Sequence, residues 1–79
     1  MKLIRFEQRS GYVFSLTFAN GTVVETDLAP LIAEHVVATD LATAQIDQEW
    51  GCLQFNDGKI DIEPQTLYRW AESHHLCHH

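Results

Sequence analysis

A small α+β domain, with a curved and mainly antiparallel β-meander and two or three short helices, is what this sequence predicts. Three observations lead there. The alternating run Tyr12 to Phe18 is followed by Asn20-Gly21 and then the β-branched run Thr22-Val23-Val24-Glu25-Thr26, the pattern of a tight hairpin. Leu53 and Phe55 are separated from Ile60 and Ile62 by Asp57-Gly58, the same turn chemistry a second time. Glu63-Pro64 then opens an amphipathic run that carries Leu67, Trp70, Ala71 and His74 on one face.

In chain order, Leu3-Ile4-Arg5-Phe6 is a β-rich run that Arg9-Ser10-Gly11 ends with a turn signal. Tyr12, Phe14, Leu16 and Phe18 share one face of the next strand, while Val13, Ser15 and Thr17 share the other. Asn20-Gly21 supplies the two positive-φ positions of a type I′ turn. Asp27 is a possible N-cap, and Pro30 places the start of a helix at Pro30 itself, because the residue before a proline is driven out of the α region. Leu28, Leu31, Ile32, His35 and Val36 recur at helical spacing and form an apolar stripe for the sheet. His35 on that stripe is read as a partly buried, hydrogen-bonded histidine near a helix C-terminus. Thr39-Asp40 can cap a short turn of helix through Leu41-Ala42-Thr43-Ala44, and Ile46-Asp47-Gln48-Glu49-Trp50 alternates weakly as a strand before a turn or bulge at Gly51. Pro64 fits the first helical position with Glu63 as cap, and Ile62 with Leu67 has the spacing of a hydrophobic staple. The two turns imply a meander; residues 1–73 are expected to form a single α+β domain, and 74–79 a His-rich tail that frays.

Seventy-nine residues form one domain with a small core, in which about 60% of the unfolded chain's surface is buried. Eleven acidic against five basic residues give a formal net charge of −6, which repels nucleic acid and anionic lipid. The basic residues Lys2, Arg5, Arg9, Lys59 and Arg69 are scattered rather than gathered in a stripe. With no apolar run of membrane-spanning length and no signal-peptide pattern, the expected location is the cytoplasm. The two cysteines, Cys52 and Cys77, match no zinc spacing and are read as reduced thiols, although one disulfide would be compatible with them.

The order Gly21-Thr22, Asp27-Leu28-Ala29-Pro30-Leu31 and, above all, Leu53-Gln54-Phe55-Asn56-Asp57-Gly58-Lys59-Ile60-Asp61-Ile62-Glu63-Pro64-Gln65-Thr66-Leu67-Tyr68 resembles the small bacterial family known as domain of unknown function 2442. The resemblance covers nearly the whole chain. It implies an α+β fold with a curved, mainly antiparallel sheet, and no established catalytic residues. It also implies a setting in which such genes often lie beside another small gene, in pairs resembling toxin–antitoxin modules. Two features depart from the family pattern: Phe55-Asn56 stands where tryptophan-proline is common, and the histidine-rich end has no counterpart.

Several groups could carry chemistry. Asp57, Asp61 and Glu63 are three carboxylates within seven residues, but the ligand spacing of a calcium loop is absent, and turn, strand face and cap account for them. His74, His75, Cys77 and His78 are the weak metal candidates, since imidazole and thiolate suit zinc, nickel or copper, yet a terminal run without a second ligand pair has no structural framework. Ser10, Ser15 and Ser73 stand in no nucleophile context, and the glycines mark turns rather than a phosphate loop. Trp50 and Tyr68 are the expected partner-binding residues, because tryptophan and tyrosine dominate interface hot spots, whereas Trp70 is expected in the core. No cofactor is expected. The function anticipated is a protein-interaction module that binds a protein partner or a second copy, with the antitoxin-like member of a two-gene pair as one form of it. The alternative is a small metal-dependent enzyme using the carboxylates near Asp61 with the terminal histidines, and the third reading is a nucleic-acid-linked regulator.

Overall fold

A computed structural model describes residues 1–75. It is an α+β fold in which two antiparallel three-stranded meanders share one core. The first contains β1 (Leu3–Ser10), β2 (Val13–Phe18) and β3 (Val23–Asp27) in that order. After α1 (Ala29–Ile32) and a 3-10 helix (Ala38–Thr43), the second meander follows with β4 (Gln45–Ile46), β5 (Leu53–Phe55) and β6 (Ile60–Ile62), and α2 (Pro64–Ser73) ends the described domain.

Alternation decides the first sheet. Phe14, Leu16 and Phe18 are fully buried, and the residues between them face outward. Its second hairpin differs from the expected type I′ turn: only Gly21 has positive φ, at 89°, and three residues lie inside the hydrogen-bonded pair Phe18–Thr22. The Gly21 N–H donates to the Phe18 carbonyl and the Phe18 N–H to the Thr22 carbonyl, a turn closed by a left-handed glycine bulge. Asn20 serves instead through its side chain, whose Oδ1 accepts the Thr22 N–H.

The α1 region also departs from expectation. The stripe is buried at Leu28, Ile32 and Val36, but α1 has only four residues, and the chain continues through turns to Val36. The helix starts at Ala29, before Pro30, because Asp27 Oδ1 accepts the Ala29 N–H and holds the opening turn. Tyr12, expected at the start of a strand, lies in the β1–β2 turn, and its hydroxyl donates to the Val36 carbonyl at 2.6 Å, satisfying the end of that segment from outside. His35 falls after the helix and is exposed, so the buried-histidine expectation is not met. The 3-10 helix begins one turn earlier than Thr39-Asp40 would place it, with Val37 as cap and Asp40 Oδ2 accepting the Val37 N–H.

The second meander is pinned at both turns. Asp57 and Gly58 both have positive φ, and the Lys59 N–H donates to the Asn56 carbonyl, as the expected type I′ turn requires. The expected strand Ile46–Trp50 is instead the two-residue β4 followed by a loop. Asp47 causes the difference: its Oδ1 accepts the Glu49 N–H and its carbonyl accepts the Gly51 N–H, so the chain reverses where alternation alone would extend it. In α2, Glu63 is the cap, Pro64 leads the helix, and Ile62 and Leu67 are both buried at the staple positions.

Candidate functional site

A groove of about 570 Å³ lies where the β4–β5 loop, β6 and the first turn of α2 meet the N-terminus. Hairpin register brings its polar wall together. Leu53 pairs with Ile62 and Gln54 with Asp61, so Cys52, Asp61 and Glu63 alternate out of the core while Leu53, Phe55 and Ile62 point in. Asp47 stands next to this wall without lining the groove, and its N–H donates to the Cys52 carbonyl across the hairpin. Met1, Trp50, Pro64 and Gln65 complete the lining.

Trp50 is 66% exposed at the tip of its loop. That loop is held close to the N-terminus: Gly51 has φ 74°, and a Cβ added there would stand 2.5 Å from Lys2 Cβ. The Leu3 N–H donates to the Gly51 carbonyl at 3.2 Å. Trp50 is therefore presented on a fastened loop rather than a free one.

Cys52 is a free thiol, 7% exposed, and its pKa is raised to about 11. Burial is the main cause, followed by the hydrogen bond to Asp61 and the negative charges of Asp61, Asp47 and Glu63. A thiol held protonated in this way is a poor nucleophile and a poor metal ligand at neutral pH. The groove presents an aromatic face beside carboxylates.

Tyr68 borders a second groove, which shares Met1 and Gln65 with the first, so the two aromatic residues flank one continuous surface. Their roles differ. The Tyr68 ring packs edge-on against Phe18 at 5.0 Å, while its hydroxyl lies at the rim, 3.4 Å from Asn20 Nδ2. Trp70 packs against the core, and its indole N–H donates to the Asp27 carbonyl at 3.1 Å.

The remaining candidates are not brought together. His74 stacks on Trp70 with ring centroids 3.7 Å apart, and His75 bridges to Thr26 on β3, both at the far end of α2 from Asp61 and Glu63. A ten-residue helix is about 15 Å long, so the carboxylates and these histidines occupy separate places. Among the described residues no group of three or more histidine, cysteine, aspartate or glutamate side chains could hold a metal ion. Cys77 and His78 lie outside the described residues, and Asp57 is exposed in its turn. Sequence reasoning missed the Cys52 wall, although the signal was present: once Asp57-Gly58 is taken as a type I′ turn, counting back along both strands sets Cys52 beside Asp61 and Glu63. The parts played by Met1 and Gln65 had no such signal.

Among the described residues no helix is long and apolar enough to cross a membrane. A family model described as Protein of unknown function (DUF2442) matches residues 4–73. No curated protein and no solved structure matches the chain.

Proposed function

The chain belongs to the DUF2442 family of proteins of unknown function, and from that premise we propose that it is a protein-interaction module whose contact surface is centred on Trp50. The observation that carries this reading is the 66% exposure of Trp50 on a loop fastened to Lys2 and Leu3. A large aromatic side chain carried on a backbone already held in place loses less entropy on binding than one on a free loop, which favours a hot spot. Tyr68 and the carboxylates of Asp61 and Glu63 extend the surface and favour a partner with basic side chains opposite them. In the two-gene setting implied by the family resemblance, that partner is the neighbouring gene's product, and this acidic chain is the antitoxin-like member.

The test is affinity capture of the neighbouring gene's purified product. Trp50→Ala is expected to weaken capture at least tenfold, on the order of 1.4 kcal/mol, without lowering the melting temperature. Tyr68→Phe, which keeps the ring on Phe18 and removes the hydroxyl, separates contact from packing where Tyr68→Ala would confuse them. Undiminished capture by the folded Trp50→Ala protein would remove Trp50 from the interface.

A further inference from the structure

The two edges of the first sheet are treated differently. Along β3 the end of α2 provides cover: Thr26 pairs with His75, Thr26 Oγ1 donates to the His74 carbonyl, and the Trp70 indole donates to the Asp27 carbonyl. Along β1, Leu3 is tied to Gly51 and β4 lies against the strand, but from Ile4 to Ser10 no backbone hydrogen bond outside the sheet is made among the described residues. Ile4 on this edge is 58% exposed.

Register determines which β1 groups face the open side. The Phe18 N–H bonds to Thr22 and the Leu28 N–H to Tyr12, so the even-numbered residues of β2 direct their backbone groups toward β3. Ser15 and Thr17 consequently direct theirs toward β1, where their partners are Glu7 and Arg5. The N–H and carbonyl groups of Phe6 and Gln8 point away from β2, ready for another strand.

We propose that the strand which completes this edge is β1 of a second copy of the same chain, running antiparallel about a two-fold axis at Phe6. Charge complementarity selects the occupant and the register. With Phe6 opposite its own counterpart, Arg5 of each copy faces Glu7 of the other, and Gln8 reaches Ile4 at the irregularity between Leu3 and Arg5. A pairing of Phe6 with Gln8 would also match the outward backbone groups, but it sets Glu7 against Glu7 and Arg5 against Arg9, which like-charge repulsion disfavours. A pairing centred on Gln8 opposes Glu7 with Arg9, but it runs through the irregularity between Gln8 and Ser10, whereas the Phe6-centred pairing keeps its charged contacts inside the regular stretch from Arg5 to Gln8. Arg5 and Glu7 are exposed, on the face of β1 opposite Leu3 and Phe6, and Glu7 meets Arg9 of its own strand at 3.2 Å, an exposed pair that Arg5 of the second copy would join or replace. The product is a continuous six-stranded sheet with two reciprocal ion pairs. It requires no second protein, so it stands or fails apart from the Trp50 surface.

Sedimentation equilibrium on the full chain, up to millimolar concentration and at low and high salt, tests the pairing. A reversible dimer weakened by salt is expected. Glu7→Arg and Arg5→Glu should each weaken dimerisation at least tenfold, and the double exchange Arg5→Glu with Glu7→Arg should bring it back to within about threefold of the parent. Lys59→Glu, a charge reversal in the distant β5–β6 turn, controls for net charge and should leave the dimer in place. Amide exchange at Phe6 and Gln8 should slow as concentration rises, while Glu7 does not change. A strictly monomeric chain at the highest concentration overturns the proposal. So does a dimer that tolerates both single reversals, or one that the double exchange fails to rescue.

Discussion

Every influence on Cys52 favours its neutral form: burial first, then the hydrogen bond to Asp61, then the carboxylate charges around it. Since the folded-state pKa of about 11 lies above the usual value of 9.0, the unfolded chain releases this proton first as pH rises. The stability contributed by the protonated thiol is therefore complete below about pH 9 and is lost between there and about pH 11. Urea unfolding of the parent and of Cys52→Ala across that window should show the parent declining more steeply. Alkylation by iodoacetamide in a Cys77→Ser background, which leaves Cys52 as the one thiol, offers a second reading: that thiol should react far more slowly at pH 8 in the native protein than in denaturant, and Asp61→Asn should speed the native reaction by removing a charge that disfavours the thiolate. Rapid alkylation of Cys52 in that folded protein would contradict the enclosure of this residue. The sequence alone showed a cysteine after a glycine; its chemistry came from residues nine and eleven positions away, across a hairpin.

At the scale of elements, what could be read in advance was what local chemistry decides alone. The strand Val13–Phe18 follows strict alternation, the β5–β6 turn follows Asp57-Gly58, and α2 follows Pro64 with its staple. The elements that differed are those completed by distant groups. Val36 is held by the Tyr12 hydroxyl, twenty-four positions earlier, so the stripe stays buried without a full helix. The β4–β5 loop is completed by the N-terminus, which Gly51 lets approach. Gly51→Ala should show how much that approach contributes: it places a Cβ 2.5 Å from Lys2 Cβ and 2.8 Å from Lys2 Cα, at a φ that alone costs about 1–3 kcal/mol for most residues. A loss of at least about 2 kcal/mol in urea unfolding is expected, together with a shift in Trp50 fluorescence as the loop moves. An unchanged midpoint and spectrum would mean that the loop yields freely, and would weaken the case for a fastened Trp50.

Across the whole molecule, the two sheets behave as one unit because neither has a core of its own. Phe14 from the first meander meets Phe55 from the second edge-on at 6.2 Å, and both are fully buried among residues from each half of the chain. For 79 residues the total stability expected is about 4–12 kcal/mol, while emptying a buried phenylalanine site costs about 3–5. Phe55→Ala should therefore remove a large share of the stability of the entire domain, including strands it does not pair with. Native-state hydrogen exchange can resolve this residue by residue: the slowest amides of β2 and β5 should lose protection together and by the same amount, as global unfolding demands. If β5 and β6 lost protection while Leu16 and Phe18 kept theirs, the first meander would have independent stability. The shared core would then be a contact between two folding units rather than the centre of one.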